Sequence, residues 1–179
     1  PGCDFERLGI RIKKEHIINL ISSNTTWNNQ AVAIKELLQN SVEACRYRLF
    51  HSSKANNYNP KISLEINKKE RKIILTDNGC GMSRNTILNN FLTVGNSRSM
   101  DSSYTSSSYK SLARFGIGFW SAFTIAESVD ITTAPFEYLI NNENKSGEVE
   151  GLQFSVSVSE FTDYTLLKKK SSTPGTCLI

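Results

Sequence analysis

The sequence predicts an α+β fold, a two-layer α/β sandwich in which a mixed, mostly antiparallel sheet carries its helices on one face. Three observations predict it. Apolar residues recur at helical spacing over 27–51, strict alternation marks 62–66 and 151–161, and helices gather early and in the middle while strands gather late.

In chain order, Ile12, Ile17, Ile18, Leu20 and Ile21 suggest a short helix over 11–22, broken by Ser22–Thr26. A long helix follows from Trp27 to about His51, with Ala31, Ile34, Leu37, Leu38, Ser41, Val42, Cys45 and Leu49 at its recurring positions. Residues 52–60 read as a polar loop. Ile62, Leu64 and Ile66 form a strand, NKKER turns the chain, and KIILT (72–76) returns. Ser83 is a good N-cap for a helix over 83–92. Residues 93–113 are Ser- and Tyr-rich with little apolar content; so long a stretch is either a functional loop or disorder. RFGIGFWSAFTIA (114–126) reads as a glycine turn entering a buried helix. Strands are expected at 129–133, 136–140, 151–161, 164–168 and 176–179.

A chain of 179 residues fits one domain with a core that needs no disulfide or metal. Its 39% hydrophobic and 21% charged residues place it among globular domains rather than disordered chains. No apolar run approaches the roughly 18 residues of a membrane span. The net charge of +4 is too weak to argue for nucleic acid, and no basic stretch is interleaved with aromatics. Lys168–Lys170 reads as a solvated turn or face. Cys3, Cys45, Cys80 and Cys177 lack zinc-ligand spacing and fit reduced thiols in a cytoplasmic protein. Pro1 is no translation start and the chain stops where a strand is beginning, so residues 1–179 are expected to be one domain excised from a longer protein.

Three motifs carry chemistry. Glu36, Asn40 and Glu43 fall within an arc of about 60° on one helix face. That face is either a solvated polar surface or a carboxylate and an amide aimed into a pocket. A carboxylate can deprotonate a water, and an amide oxygen can ligate Mg²⁺. The second motif is DNGCG (77–81). It reads as a strand-end turn or as a site where Asp77 accepts a hydrogen bond from an exocyclic amine, with glycines admitting a flat base. It lacks the third glycine of a dinucleotide fingerprint and the lysine of a P-loop. The third is RFGIGF (114–119), where glycines before a helix either allow close packing or offer N–H groups to phosphate.

Taken in order, Glu-x-x-x-Asn, Asp-x-Gly-x-Gly, a variable segment and Gly-x-Gly entering a helix, these motifs resemble the GHKL (Bergerat-fold) ATPase superfamily over about residues 27–179. That superfamily includes gyrase B, histidine kinases, MutL and the ninety-kilodalton heat-shock chaperone. DNGCGMSRNTILNNFLTVGNSRS (77–99) and RFGIGFWSAFTIAESVDI (114–131) are most similar to the chaperone's N-terminal ATP-binding domain.

The resemblance implies a set of roles. Asp77 would bind adenine N6, with Gly81 close to the base, Met82 packed on it and Thr176 supporting its water network. Asn40 would ligate Mg²⁺, and Asn90 would contact the sugar or phosphates. Gly116, Ile117, Gly118 and Phe119 would offer N–H groups to the phosphates, and Glu36 would activate the hydrolytic water. Residues 93–113 would form the lid over ATP. Two positions depart from the pattern. Glu43 replaces the usual Asp near the adenine side, and Asn96 replaces a lid lysine, leaving Arg98, Lys110 or Arg114 to meet the γ-phosphate. No residue matches the catalytic arginine that the chaperone supplies from its next domain.

The expected function is therefore Mg-dependent ATP binding and slow hydrolysis, driving conformational change or clamping of a homodimer on a protein client. The alternatives are a non-catalytic nucleotide-sensing module, a kinase-like transferase, which Glu36 disfavours, and a DNA-repair-type GHKL ATPase.

Overall fold

A computed structural model describes residues 7–8, 11–12, 30–52, 57–94, 118–136, 149–157, 164–171 and 173–179. The elements are β1 (Arg7–Leu8), β2 (Arg11–Ile12), α1 (Gln30–His51), β3 (Ile62–Asn67), β4 (Lys72–Asp77), α2 (Arg84–Thr86) continued by a π-helical turn (Ile87–Phe91), β5 (Thr93–Val94), a 3₁₀ helix (Gly118–Thr124), β6 (Ser128–Ala134), β7 (Val149–Ser157), β8 (Tyr164–Thr165), β9 (Leu167–Ser171) and β10 (Gly175–Leu178).

Six strands form one sheet in the order β3-β4-β10-β6-β7-β9, with every neighbouring pair antiparallel. The parallel pairing lies outside it, between β2 and β5, and β1 pairs with β8 separately. Register puts Leu75, Leu178, Ile131 and Phe154 side by side on one face. These residues join Leu37 of α1 and Phe119 of the 3₁₀ helix in the main core. The opposite face carries Thr76, Cys177, Thr132 and Gln153, as expected of an antiparallel sheet with helices on one side only.

Helix α1 forms where Ala, Leu, Lys, Glu and Gln run together, residues that lose little freedom in a helix. It buries Ala33, Leu37, Ser41 and Cys45, a stripe of four-residue steps. Ser83 caps the next helix as expected, its Oγ accepting from Thr86 N at 3.2 Å. The chain then widens into a π turn, closed by Leu92 N donating to Ile87 O at 2.8 Å.

Four expectations are corrected. Arg11–Ile12 is a strand rather than the start of a helix, because Ile10-Arg11-Ile12-Lys13 alternates with period two and β5 offers a partner. The rest of the proposed 11–22 helix lies outside the described residues. The strand expected at 164–168 is two strands meeting at the buried Leu166, one pairing with β1 and the other with β7. Of the two readings of the lysine run, turn or solvated face, the face applies at Lys168, which is exposed on edge strand β9 and whose Nζ pairs with Glu150 Oε1 at 3.1 Å. Lysine there discourages pairing with another chain. The segment entered by the glycine motif is a 3₁₀ helix beginning at Gly118. Of the strand expected at 136–140, Phe136 is a buried bend after β6, and 137–140 lie outside the described residues.

Candidate functional site

Asp77 is the last residue of β4 and only 8% exposed. Its Oδ1 accepts from Gly79 N at 2.9 Å, the bond that shapes the turn. Burial pushes its carboxyl up to about 6, against smaller opposing effects of hydrogen bonds from Gly79 N–H, the Ser41 side chain and Thr176 N–H. Its sheet neighbour is Thr176. Above them Thr133, 2% exposed, accepts from Met82 N at 2.9 Å, donates to Gly175 O at 3.1 Å and lies 3.1 Å from Thr176 Oγ1. Asp77, Thr176, Ser41, Thr133 and the Gly81–Met82 backbone thus form one polar wall set in an apolar core.

The glycines of DNGCG are required first by the protein's own backbone. A Cβ on Gly79 would lie 2.7 Å from the Ala44 Cβ of α1. Gly81 has φ +57°, and a Cβ there would overlap the Ala134 carbonyl of β6. The turn is pinned on both sides, by Cys80 N donating to Ala44 O at 3.0 Å and Phe136 N donating to Cys80 O at 2.7 Å. Asn78 ties it to the segment before β3 through Lys61 N, 2.7 Å from Asn78 Oδ1.

Four and eight residues before Ala44 on α1, Asn40 and Glu36 meet the start of the 3₁₀ helix. A Cβ on Gly118 would stand 3.2 Å from Glu36 Oε2, 3.2 Å from Asn40 Nδ2 and 3.5 Å from Asn40 Oδ1. The carboxylate, the amide and a bare glycine backbone therefore share one small space. Phe119 points the other way; its ring is buried beside Phe91, with centroids 4.2 Å apart. Only its main chain is available to a ligand.

The polar face of α1 is not simply solvated. Glu36 is half-buried, Asn40 exposed and Glu43 6% exposed. Glu43 Oε2 accepts from Arg46 Nη1 at 3.1 Å, which engages the residue that departs from the family pattern. Asn90 sits half-buried in the π turn. Arg114, Gly116, Ile117 and lid residues 95–113 lie outside the described residues; Thr93–Val94, assigned to the lid, form β5.

Two participants were not singled out from sequence. Ser41 was taken only as part of the apolar stripe. Thr133 carried a readable signal, since Val129, Ile131 and Thr133 share one strand parity and a polar residue at an inward position needs a partner.

Among the described residues no group of three or more His, Cys, Asp or Glu could hold a metal alone. Asn40 supplies one hard oxygen beside Gly118, which suits Mg²⁺ whose remaining ligands are phosphate and water. No helix among the described residues is long and apolar enough to cross a membrane.

The chain is similar to known proteins along most of its length. The family model described as "Histidine kinase-, DNA gyrase B-, and HSP90-like ATPase" matches residues 28–174. Relatives include the chaperone protein HtpG of Rickettsia canadensis, 27% identical over 85% of this chain and 29% of the relative. HtpG of Nitrosomonas europaea is 31% identical over 73% of this chain and 22% of its own length. HtpG of Buchnera aphidicola subsp. Cinara cedri is 31% identical over 62% and 20%. The chain thus spans less than a third of the curated relatives it matches. It belongs to the histidine kinase-, DNA gyrase B- and HSP90-like ATPase family.

Proposed function

We propose that this chain binds ATP with Mg²⁺ and hydrolyses it slowly, as the nucleotide-binding domain of a longer, chaperone-like cytoplasmic protein. In that protein ATP would drive conformational change or close a homodimer around a protein client. One observation carries the reading. Helix α1 presents Glu36 and Asn40 to Gly118 and, at the next residue, Ser41 to Asp77. Fewer than two turns of one helix thereby serve both a phosphate end and a base end.

At the base end, ionised Asp77 accepts the adenine amino group, and Thr176 and Thr133 hold the neighbouring polar wall. Met82 and Gly81 flank the base. At the phosphate end, the Gly118 and Phe119 N–H groups, with Arg114, Gly116 and Ile117, contact the phosphates, and Asn90 meets the sugar or phosphate. Asn40 would hold Mg²⁺, which would supply charge neutralisation at the phosphates, and Glu36 orients and deprotonates the attacking water. The 93–113 segment closes over the nucleotide.

Calorimetric titration of the full-length protein with ATP, with and without Mg²⁺, tests this alongside phosphate release. Mg-dependent binding and slow release are expected. Absence of binding overturns the reading, and binding without release leaves a nucleotide-sensing module.

A further inference from the structure

Arg48 lies in the last turn of α1, twelve residues beyond Glu36 and so about 18 Å along the helix. Its Nη1 is 2.6 Å from Asn78 O, 3.3 Å from Pro174 O and 3.5 Å from Gly79 O. The guanidinium sits 4.3 Å from the centroid of the Tyr58 ring and 5.1 Å from that of Phe136. Its Nε is buried and has no partner among the described residues. A half-buried cation is thus held by three peptide carbonyls and two aromatic rings.

Those carbonyls belong to two separate turns. Asn78 and Gly79 follow Asp77, while Pro174 precedes Gly175 and Thr176. The turns are in van der Waals register, since a Cβ on Gly175, at φ +144°, would overlap Asp77 O. The residues they aim, Asp77 and Thr176, are directly paired across β4 and β10. All three carbonyls lie within 3.5 Å of one nitrogen, Nη1, and the guanidinium carbon is within cation–π range of both rings, so one group both donates to the turns and rests against the aromatics.

We propose that Arg48 is a positioning residue for the base end of the pocket: by clamping the two turns it sets the Asp77–Thr176 geometry and hence affinity for the nucleotide base. It acts without touching the hydrolytic group at Glu36. This inference rests on the ATP-binding reading above.

The test compares wild-type full-length protein with Arg48→Lys and Arg48→Met, measuring calorimetric Kd and stoichiometry for ATP and ADP together with steady-state turnover. In Arg48→Met, Kd for ATP and ADP should rise by the same factor, about tenfold, with stoichiometry retained. KM should rise in parallel while kcat stays within about twofold. Arg48→Lys keeps the charge and three N–H donors but loses the planar guanidinium, and should recover part of the loss; it carries the test if Arg48→Met fails to fold. Unchanged Kd and KM, a fall in kcat alone, or lower stoichiometry at unchanged Kd would overturn the inference while leaving the functional reading intact. A wild-type protein that binds neither nucleotide overturns that reading and this inference with it.

Discussion

The hydroxyl of Thr133 stands 2.9 Å from the main-chain nitrogen of Met82, so a β6 side chain holds the segment that leaves the glycine turn. Thr133→Val keeps the shape and removes that acceptor, along with the donor to Gly175 O. Leaving a buried N–H unpaired costs about 1–3 kcal/mol. Chemical denaturation should show a loss in that range, with weaker ATP binding. An unchanged midpoint would mean the network contributes nothing.

Glu36→Ala removes the only carboxylate placed against Gly118 by the described geometry. Hydrolysis should fall by at least about a hundredfold. ATP affinity should stay near wild type, because Asp77 and the polar wall are untouched. Turnover persisting at the wild-type rate would remove Glu36 from the catalytic role.

Gly118→Ala separates site from scaffold. The atoms nearest the added methyl are the ends of the Glu36 and Asn40 side chains, which can move aside. The melting temperature should therefore change little while phosphate release drops at least about tenfold. Gly81→Ala is the opposite case: positive φ and the Ala134 carbonyl both oppose it, for a loss of at least about 2 kcal/mol. Equal effects of the two substitutions on thermal stability would contradict this distinction.

Asp77 gives a pH signature. Its carboxyl, raised from 3.8 to about 6 chiefly by burial, binds a proton more tightly folded than unfolded. Its contribution to stability is therefore fully present below about pH 4 and is lost as pH rises through about 6, up to about 3 kcal/mol. Asp77→Asn should flatten that slope relative to wild type, which urea titrations at pH 4 and pH 7 would reveal. The substitution should also weaken ATP binding, and wild-type affinity should fall below about pH 6 as the acceptor is protonated. Calorimetry showing unchanged affinity in Asp77→Asn would take the residue out of the base site.

Much of this arrangement was legible in the sequence because period reports burial. The alternations at 62–66 and 151–161 and the helical spacing of α1 found their elements. The order of Glu36, Asn40, Asp77 and Gly118 pointed to a candidate site, and of these the fold brings Glu36 and Asn40 to Gly118. What the sequence could not convey was adjacency created by strand order. Nothing local places Thr133 beside Met82, or Pro174 beside Arg48; both contacts require β10 to enter between β4 and β6. Short extended segments such as Arg11–Ile12 were equally hidden, since so brief an alternation is outweighed by the helical spacing of the isoleucines that follow and the partner lies some eighty positions away. The glycines were read as making room for a ligand. The fold shows them making room for Ala44 and Ala134, a packing demand that motif spacing does not distinguish.

The central place of β10 also bears on how the chain reaches its native state. Asp77 and Thr176 pair directly although they lie roughly a hundred residues apart. During synthesis, the β3–β4 hairpin and the β6–β7 pair emerge before β10, each with an open edge that β10 fills in the folded sheet. Closure of the sheet is therefore a late, non-local step, of the kind associated with millisecond-to-second folding rather than microseconds. Until it happens, both halves expose unpaired backbone that invites a foreign strand. A nascent form of this domain would thus be most aggregation-prone just before β10 arrives.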